Sequence, residues 1–334
     1  MPQLSRQALD DRELLLSLGA GAISGDALAR RAGITRAAVW KRIQALRAAG
    51  VPVEARAGQG YVLERVPELL DPQQLRDGLG PQAAAGLESL DVAWSLDSTN
   101  SELQRRPPPL RGAAVLLAER QTAGRGRLGR TWASPLGAQV CLSLRRGFQG
   151  GLARLGGLSL VAGVAVAEAV RGLGLAAVGL KWPNDLQGGG RKLAGLLVEG
   201  GGEHGGPVHA VIGIGINVRM PGAAAAGIDQ PWTDLARLAQ EAGIPAPGRN
   251  EVAIAVLDSL LPALELFDRE GLAPFLPRYA ALDLLAGRQL RVLVGGQEVA
   301  SGQALGLAPD GGLRLATDAG ERVFHAGEVS VRAP

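Results

Sequence analysis

Gly33, followed two residues later by Thr35, separates two short runs with helical apolar spacing, and that punctuation leaves few folds open to the N-terminal part of the chain. Ser24 can cap a helix carrying Ala27, Leu28 and Ala32, and Gly33 ends it. Thr35 then caps a second helix with Val39, Ile43 and Leu46 on one face. Two helices joined by a tight glycine turn make a helix-turn-helix. Upstream, Asp10 to Glu13 has capping-box spacing, which predicts a helix that opens there, turns Leu14, Leu15 and Leu18 inward and ends at Gly19. Downstream, Val51 and Val53 lead to Gly58 and Gly60, and Tyr61 and Leu63 lead back, which is the pattern of a small β wing.

The charge distribution points the same way. Residues 1–65 hold ten Lys or Arg against six Asp or Glu, whereas the remaining residues hold 25 against 26. From Thr35 to Ala49 there is no acid, while Arg36, Lys41, Arg42 and Arg47 all fall on the second helix of the motif. Thr35, Arg36, Lys41, Arg42 and Arg47 are therefore the expected DNA-contacting residues of a winged helix-turn-helix. A basic bundle that docks on another partner is the plainer alternative. Trp40, on the same helix, reads as a packing residue.

The rest of the sequence narrows the function classes. The longest uncharged run, His204 to Val218, has 15 residues, too short for a membrane helix. Asp10 to Glu13 precedes the apolar run Leu14 to Leu18, the reverse of a secretory signal, so the cytoplasm is the expected location, with no membrane partner. One cysteine, Cys141, excludes an internal disulfide, and three histidines offer no credible zinc cluster, so any metal is expected to be a hard cation such as Mg2+.

From about residue 90 to 285, strand-like runs (113–118, 140–144, 208–218) alternate with helical ones. The near-continuously apolar run 155–171 predicts a buried helix, and 250–267 an amphipathic one with Pro262 as a candidate kink. Within this α/β region lies GRGRLGRTW, Gly124 to Trp132. Gly124, Gly126 and Gly129 satisfy a dinucleotide-binding spacing, but Pro135 interrupts the helix that should follow, and no Asp or Glu occurs between Arg120 and Ala167 to hold a ribose. No GK[ST] follows either, so a Walker loop is excluded. Glycines that bring backbone N–H groups close, interleaved with Arg125, Arg127 and Arg130, suit a polyphosphate or acyl phosphate. A solvated basic turn is the alternative. In KWPND, Pro183 predicts an extended Trp182 with Lys181 at a strand end and Asn184 and Asp185 in a turn, where Asp185 can hold magnesium. In the following KLAG, Lys192 can neutralise a transferring phosphoryl or carboxylate group. GIGIN, Gly213 to Asn217, reads as an apolar strand ending in Asn.

In combination these motifs are far more specific than singly. A winged helix-turn-helix, STN at 98–100, QTAGRGRLGRTW at 121–132, KWPND at 181–185, KLAG at 192–195 and GIN at 215–217 resemble, over essentially the whole chain, the biotin protein ligases that double as biotin operon repressors. The resemblance implies ATP-dependent formation of biotinyl-5′-AMP and transfer of biotin to a lysine of the biotin carboxyl carrier protein of acetyl-CoA carboxylase. It implies biotin, ATP and Mg2+ as ligands, operator DNA as a second partner and a homodimer when adenylate is bound. It also implies three parts: a winged helix-turn-helix at 1–66, a central mixed α/β ligase domain of class II synthetase-like build at 67–285, and a small SH3-like barrel at 286–334. Strand-like runs at 290–294, 298–307, 313–316 and 329–332 fit the last of these.

Carried over position by position, the resemblance assigns Ser98, Thr99, Asn100 and Gln121 to biotin, with Gly124, Arg125, Gly126, Arg127 and Arg130 of the glycine–arginine loop. It places Trp132 beside adenine, and Asn184, Asp185, Gly195 and Asn217 around nucleotide and metal. Lys192, Arg127, Asp185 and Lys181 are the expected catalytic group, with Asp185 as metal ligand. Leu128 departs from the pattern, since the family's loop often carries another arginine there. Two alternatives remain at this stage: a ligand-sensing regulator without turnover, and a lipoyl- or octanoyl-transferase relative.

Overall fold

A computed structural model describes residues 6–63, 65–149, 151–202, 208–222, 228–326 and 329–332. His204, the start of the longest uncharged run, lies outside them.

The N-terminal unit comprises α1 (Arg6–Gly19), α2 (Gly25–Ala32), α3 (Arg36–Ala48), β1 (Val53–Arg56) and β2 (Gly60–Leu63). Ser24 and Thr35 cap α2 and α3 as their sequence context requires, each accepting from the backbone N–H three residues on, at 3.1 and 3.2 Å. Gly33 is left-handed (φ 65°) and ends α2 by donating to the Ala29 and Arg30 carbonyls. Leu14, Leu15, Leu18, Leu28, Val39, Ile43 and Leu46 form the unit's own core. The first helix departs from expectation. It is already helical at Arg6, the first described residue, so Asp10 to Glu13 lies inside it and not at its opening. A local spacing match cannot show that helical residues precede it.

The central unit is built on α4 (Pro72–Gly78), α5 (Pro81–Ala85), α6 (Thr99–Arg105), α7 (Leu158–Gly172), α8 (Leu235–Ala242), α9 (Arg249–Glu270) and α10 (Leu276–Ala280). Its strands are β3 (Leu87–Leu96), β4 (Ala113–Gln121), β5 (Gln139–Phe148), β6 (Val178–Lys181), β7 (Asp185–Gly188), β8 (Arg191–Gly202) and β9 (Val208–Asn217). They form one mixed sheet in the order β3-β4-β5-β9-β8-β7-β6, in which β3 and β4 are parallel and the other neighbours antiparallel. The apolar α7 is buried almost all round and packs with α9 on one face of this sheet. The helix α9 runs unbroken through Pro262.

Strand alternation decides what the other face carries. On β9, Ile212, Ile214 and Ile216 join the core under the helices, so Gly213, Gly215 and Asn217 face the opposite way. On β5, Val140, Leu142 and Leu144 point into that core, which turns Gln139, Cys141, Ser143 and Arg145 to the opposite side.

The C-terminal unit is an antiparallel sheet of β10 (Gln289–Val294), β11 (Gln297–Leu307), β12 (Leu313–Thr317), β13 (Gly320–Phe324) and β14 (Val329–Arg332), in the order β13-β12-β11-β10-β14. The sequence pattern misses β13, because Gly320 reads as a breaker when it is the first residue of the strand. Leu290, Val292, Leu313, Leu315 and Phe324 merge with the core of the central unit. None of the described helices is long and apolar enough to cross a membrane.

Candidate active-site cleft

The face of the sheet opposite α7 and α9 holds a cleft of about 460 Å³, a size that suits a small-molecule ligand. Its floor is glycine. Gly195 on β8 pairs with Gly215 on β9, and the Trp132 indole lies so close above that a Cβ on Gly215 would meet its ring at 2.6 Å. The alternation of isoleucine and glycine in GIGIN therefore does two jobs, filling the core on one side and clearing a slot on the other.

The glycine–arginine loop folds as a tight hairpin over one end of the slot. Thr131 pairs with Arg125, the Gly126 amide donates to the Arg130 carbonyl at 2.7 Å, and Trp132 donates to Gly124 at 2.8 Å. Leu128 at its tip has φ 55°, a left-handed conformation that costs a branched residue about 1 kcal/mol. Gly124 does not line the cleft. A Cβ there would stand 2.7 Å from the Trp132 carbonyl, so its absence lets the hairpin close. Arg130 is exposed on the cleft wall, whereas Arg127 is half-buried. Arg127 donates to Asn184 Oδ1 at 3.2 Å and to the Ala326 carbonyl of the C-terminal unit, so the loop bridges two units. Burial pushes the Arg127 pKa down and the Asp185 carboxylate opposes that.

The floor beneath the loop is a continuous polar network. Gln121 Oε1 accepts from the Thr99 amide at 2.8 Å and from Thr99 Oγ1 at 3.1 Å. Ser143 Oγ lies 2.6 Å from both Thr99 Oγ1 and Asn100 Oδ1. Asn100 Nδ2 donates to Glu199 at 2.8 Å and to the Leu197 carbonyl at 3.2 Å, which fixes the amide's orientation. Ser98 caps α6 through the Ser101 amide. Arg125 donates to the same Glu199 carboxylate at 3.0 Å and to Ser101 Oγ at 3.2 Å.

On the far side, the Lys192 ammonium lies 2.7 Å from Asp185 Oδ1 and 5.7 Å from the centre of the Trp132 ring. Lys181 at the end of β6 pairs in register with Asp185, the first residue of β7 rather than part of a turn. Trp182 is buried and precedes a cis Pro183, with its Nε1 donating to the Gly311 carbonyl at 3.1 Å. Asn184 Nδ2 donates to Leu196 O at 2.8 Å, and Asn217 is bonded to Gln139 Nε2 at 2.7 Å and to Thr233 O at 2.9 Å. No group of three or more His, Cys, Asp or Glu able to hold a metal occurs among the described residues. Asp185, paired with Lys192, and Asp229 are carboxylates that line the cleft, and one or two carboxylates with substrate phosphates are a common magnesium arrangement.

Every expected cleft residue other than Gly124 lines this one space: Ser98, Thr99, Asn100, Gln121, Arg125, Gly126, Arg127, Arg130, Trp132, Lys181, Asn184, Asp185, Lys192, Gly195 and Asn217. The sequence reading missed Gln139, Ser143 and Glu199. Period-two alternation with buried Val140, Leu142 and Leu144 was the available signal for the first two.

On the helix-turn-helix, the structure divides the expected DNA contacts. Arg36 and Lys41 stand exposed on α3, and Thr35 caps that helix. Arg42 instead leans on α1, with its guanidinium 3.9 Å from Asp11, and Arg47 donates to the Val53 carbonyl at 2.7 Å. Both are turned back onto the protein because they flank the buried stripe of Val39, Ile43 and Leu46. Trp40 is not a packing residue, for 55% of it is exposed.

Comparison with known proteins finds three family models along the chain. Residues 92–217 match the biotin/lipoate A/B protein ligase family, residues 10–62 an HTH domain and residues 286–332 the biotin protein ligase C-terminal domain. The bifunctional ligase/repressor BirA of Escherichia coli is 41% identical over 93% of each chain. The biotin–[acetyl-CoA-carboxylase] ligase of Mycobacterium tuberculosis is 38% identical over 80% of this chain and 97% of its own. Among solved structures, the biotin protein ligase of Aquifex aeolicus in complex with biotin and ATP has a TM-score of 0.61 at 28% identity, covering 74% of this chain and all of that one.

Proposed function

This chain belongs to the family of bifunctional biotin ligases and repressors, and on that footing we propose that its cleft joins biotin to AMP and passes the biotinyl group to a carrier-protein lysine. The observation that carries the reading is the convergence of the glycine–arginine loop, the Lys192–Asp185 pair and the Ser98–Gln121 network on one 460 Å³ cleft.

In the first step a biotin carboxylate oxygen bonds to the α-phosphorus of ATP, and the bond to the bridging oxygen of pyrophosphate breaks. In the second, the amine of the acceptor lysine bonds to the acyl carbon and AMP leaves with the electron pair. Neither step needs an enzyme nucleophile, so the chain contributes positioning and fixed charge. Lys192, Arg127 and Lys181 surround the place where negative charge builds. Ser98, Thr99 and Gln121 bind the biotin head group, with Asn100 holding that floor in shape. Arg125 and Arg130, carried on the hairpin that Gly124 and Gly126 let close, fold over the adenylate and keep water from the anhydride. Trp132 and Gly195 flank adenine, and Asn217 holds Gln139 beneath it. Mg2+ would be held by Asp185 and Asn184 with phosphate oxygens, where it neutralises phosphate charge.

The divisions at 66/67 and 285/286 belong to this reading, as does a cytoplasmic location with access to ATP. So does repression. Adenylate in the cleft favours a homodimer, and two winged units then meet two operator half-sites. The reading is tested by incubating the purified protein with Mg-ATP, biotin and the carboxyl carrier domain of acetyl-CoA carboxylase, with lipoate as control. A biotin-sized mass gain on one acceptor lysine is expected. Biotin binding without mass gain would leave a sensor instead.

A further inference from the structure

Trp40 lies one residue past Val39, so the 100° step of an α-helix carries it off the buried stripe and onto its flank, where more than half of the indole is exposed. Arg36 lies one turn before it and Gln44 one turn after, with Ala37 and Lys41 alongside. This strip has two cations and no carboxylate of its own, and Arg36 lies 3.7 Å from an exposed Asp26 on α2. A bare indole on a cationic helix face calls for an occupant that is acidic at its rim and apolar at its centre. Duplex DNA offers that combination.

The major groove presents base edges rather than base faces to a helix lying in it. Indole supplies one hydrogen-bond donor and no acceptor, so most of its surface must meet something apolar. The apolar group on the floor of that groove is the C5-methyl of thymine. Trp40 also sits in the N-terminal half of α3, the half of a recognition helix that reaches base edges. We propose that Trp40 reads a thymine methyl in each operator half-site and so sets which sequence this repressor recognises. This rests on the operator-binding reading above, with Arg36 and Lys41 supplying phosphate contacts on either side.

The test begins with duplexes selected from a random-sequence pool by the full-length protein with biotin and Mg-ATP. Each thymine of the selected half-site is then replaced by uracil, which removes the methyl and nothing else. In the wild type, one such replacement per half-site is expected to weaken binding about fourfold. Trp40→Ala is expected to weaken binding to the selected duplex about tenfold. It should leave affinity for unselected duplex within about twofold, because that affinity is phosphate-borne. The uracil replacement should then have no effect on the variant. Wild-type affinity for unselected duplex would show that the winged unit of Trp40→Ala is folded, and the uracil arm needs no variant at all. Wild-type binding indifferent to every uracil replacement, or equally sensitive in Trp40→Ala, would overturn the proposal. So would equal loss on selected and unselected duplexes. If the wild type enriched no duplex, the operator reading itself would fall and this inference with it.

Discussion

Lys192 on β8 and Asp185 on β7 form an ion pair at 2.7 Å on the wall of the cleft, with the ammonium facing the Trp132 ring. The pair shows how the site is prepared before substrate arrives. The lysine is held in place by a carboxylate that a metal-bearing phosphate can share.

Lys192→Ala is expected to lower the rate of biotin-dependent adenylate formation by about 10²- to 10³-fold, the usual effect of removing one preorganised group aimed at developing charge. Single-turnover kinetics with saturating biotin and ATP will separate this from weakened binding. A loss confined to KM would show that Lys192 only holds the ground state.

Glu199 accepts from both Asn100 and Arg125, so it ties the floor of the cleft to the loop above it. Glu199→Gln keeps the shape but removes the charge that draws Arg125 in. Biotin affinity should fall about tenfold, in proportion to one charge-assisted hydrogen bond. ATP affinity should change far less. Calorimetric titration with each ligand checks the difference.

Arg249 and Glu119 form an ion pair at 2.5 Å in which both side chains are almost wholly buried. Arg249 also donates to the Gln139 carbonyl at 2.9 Å, below Trp132. Removing one member of such a pair leaves the other uncompensated, so Arg249→Met should destabilise the protein by about 3–5 kcal/mol. The midpoint of urea unfolding gives the value, with equal slopes showing that the folded state is otherwise unchanged.

His209 at the start of β9 has its pKa pushed below the ordinary 6.5, first by burial and then by the neighbouring Arg145. The unfolded chain therefore binds its proton at higher pH than the folded one. The stability that neutral His209 contributes is complete above 6.5 and is lost as pH falls through that value toward the folded pKa. Wild type should lose more stability between pH 7.5 and 5.5 than His209→Gln, as measured by denaturant unfolding across that range. Parallel curves for the two would refute the assignment.

Much of this architecture was legible in particular residues. Gly33 and Thr35 announced the turn of the helix-turn-helix, and Leu14, Leu15 and Leu18 the inward face of α1. The cleft was legible because its residues fall into short runs whose order along the chain is distinctive. What was hidden is long-range. Glu199 stands 74 positions from Arg125, and nothing in either segment says that a carboxylate from one meets the guanidinium of the other. Arg42 and Arg47 read as DNA contacts by charge alone, yet their partners Asp11 and the Val53 carbonyl come from neighbouring elements. Trp40 was misjudged for a different reason. Its residue type suggested burial, while its angular offset from Val39, Ile43 and Leu46 already placed it outside.

The most direct test of the central claim, that one cleft activates biotin with ATP, is biotin-dependent exchange of labelled pyrophosphate into ATP by the purified protein, run beside Lys192→Ala. Exchange is expected to require biotin, to find no support from lipoate and to be lost in the variant. Exchange absent from folded wild-type protein that binds both ligands, or undiminished in Lys192→Ala, would contradict the claim.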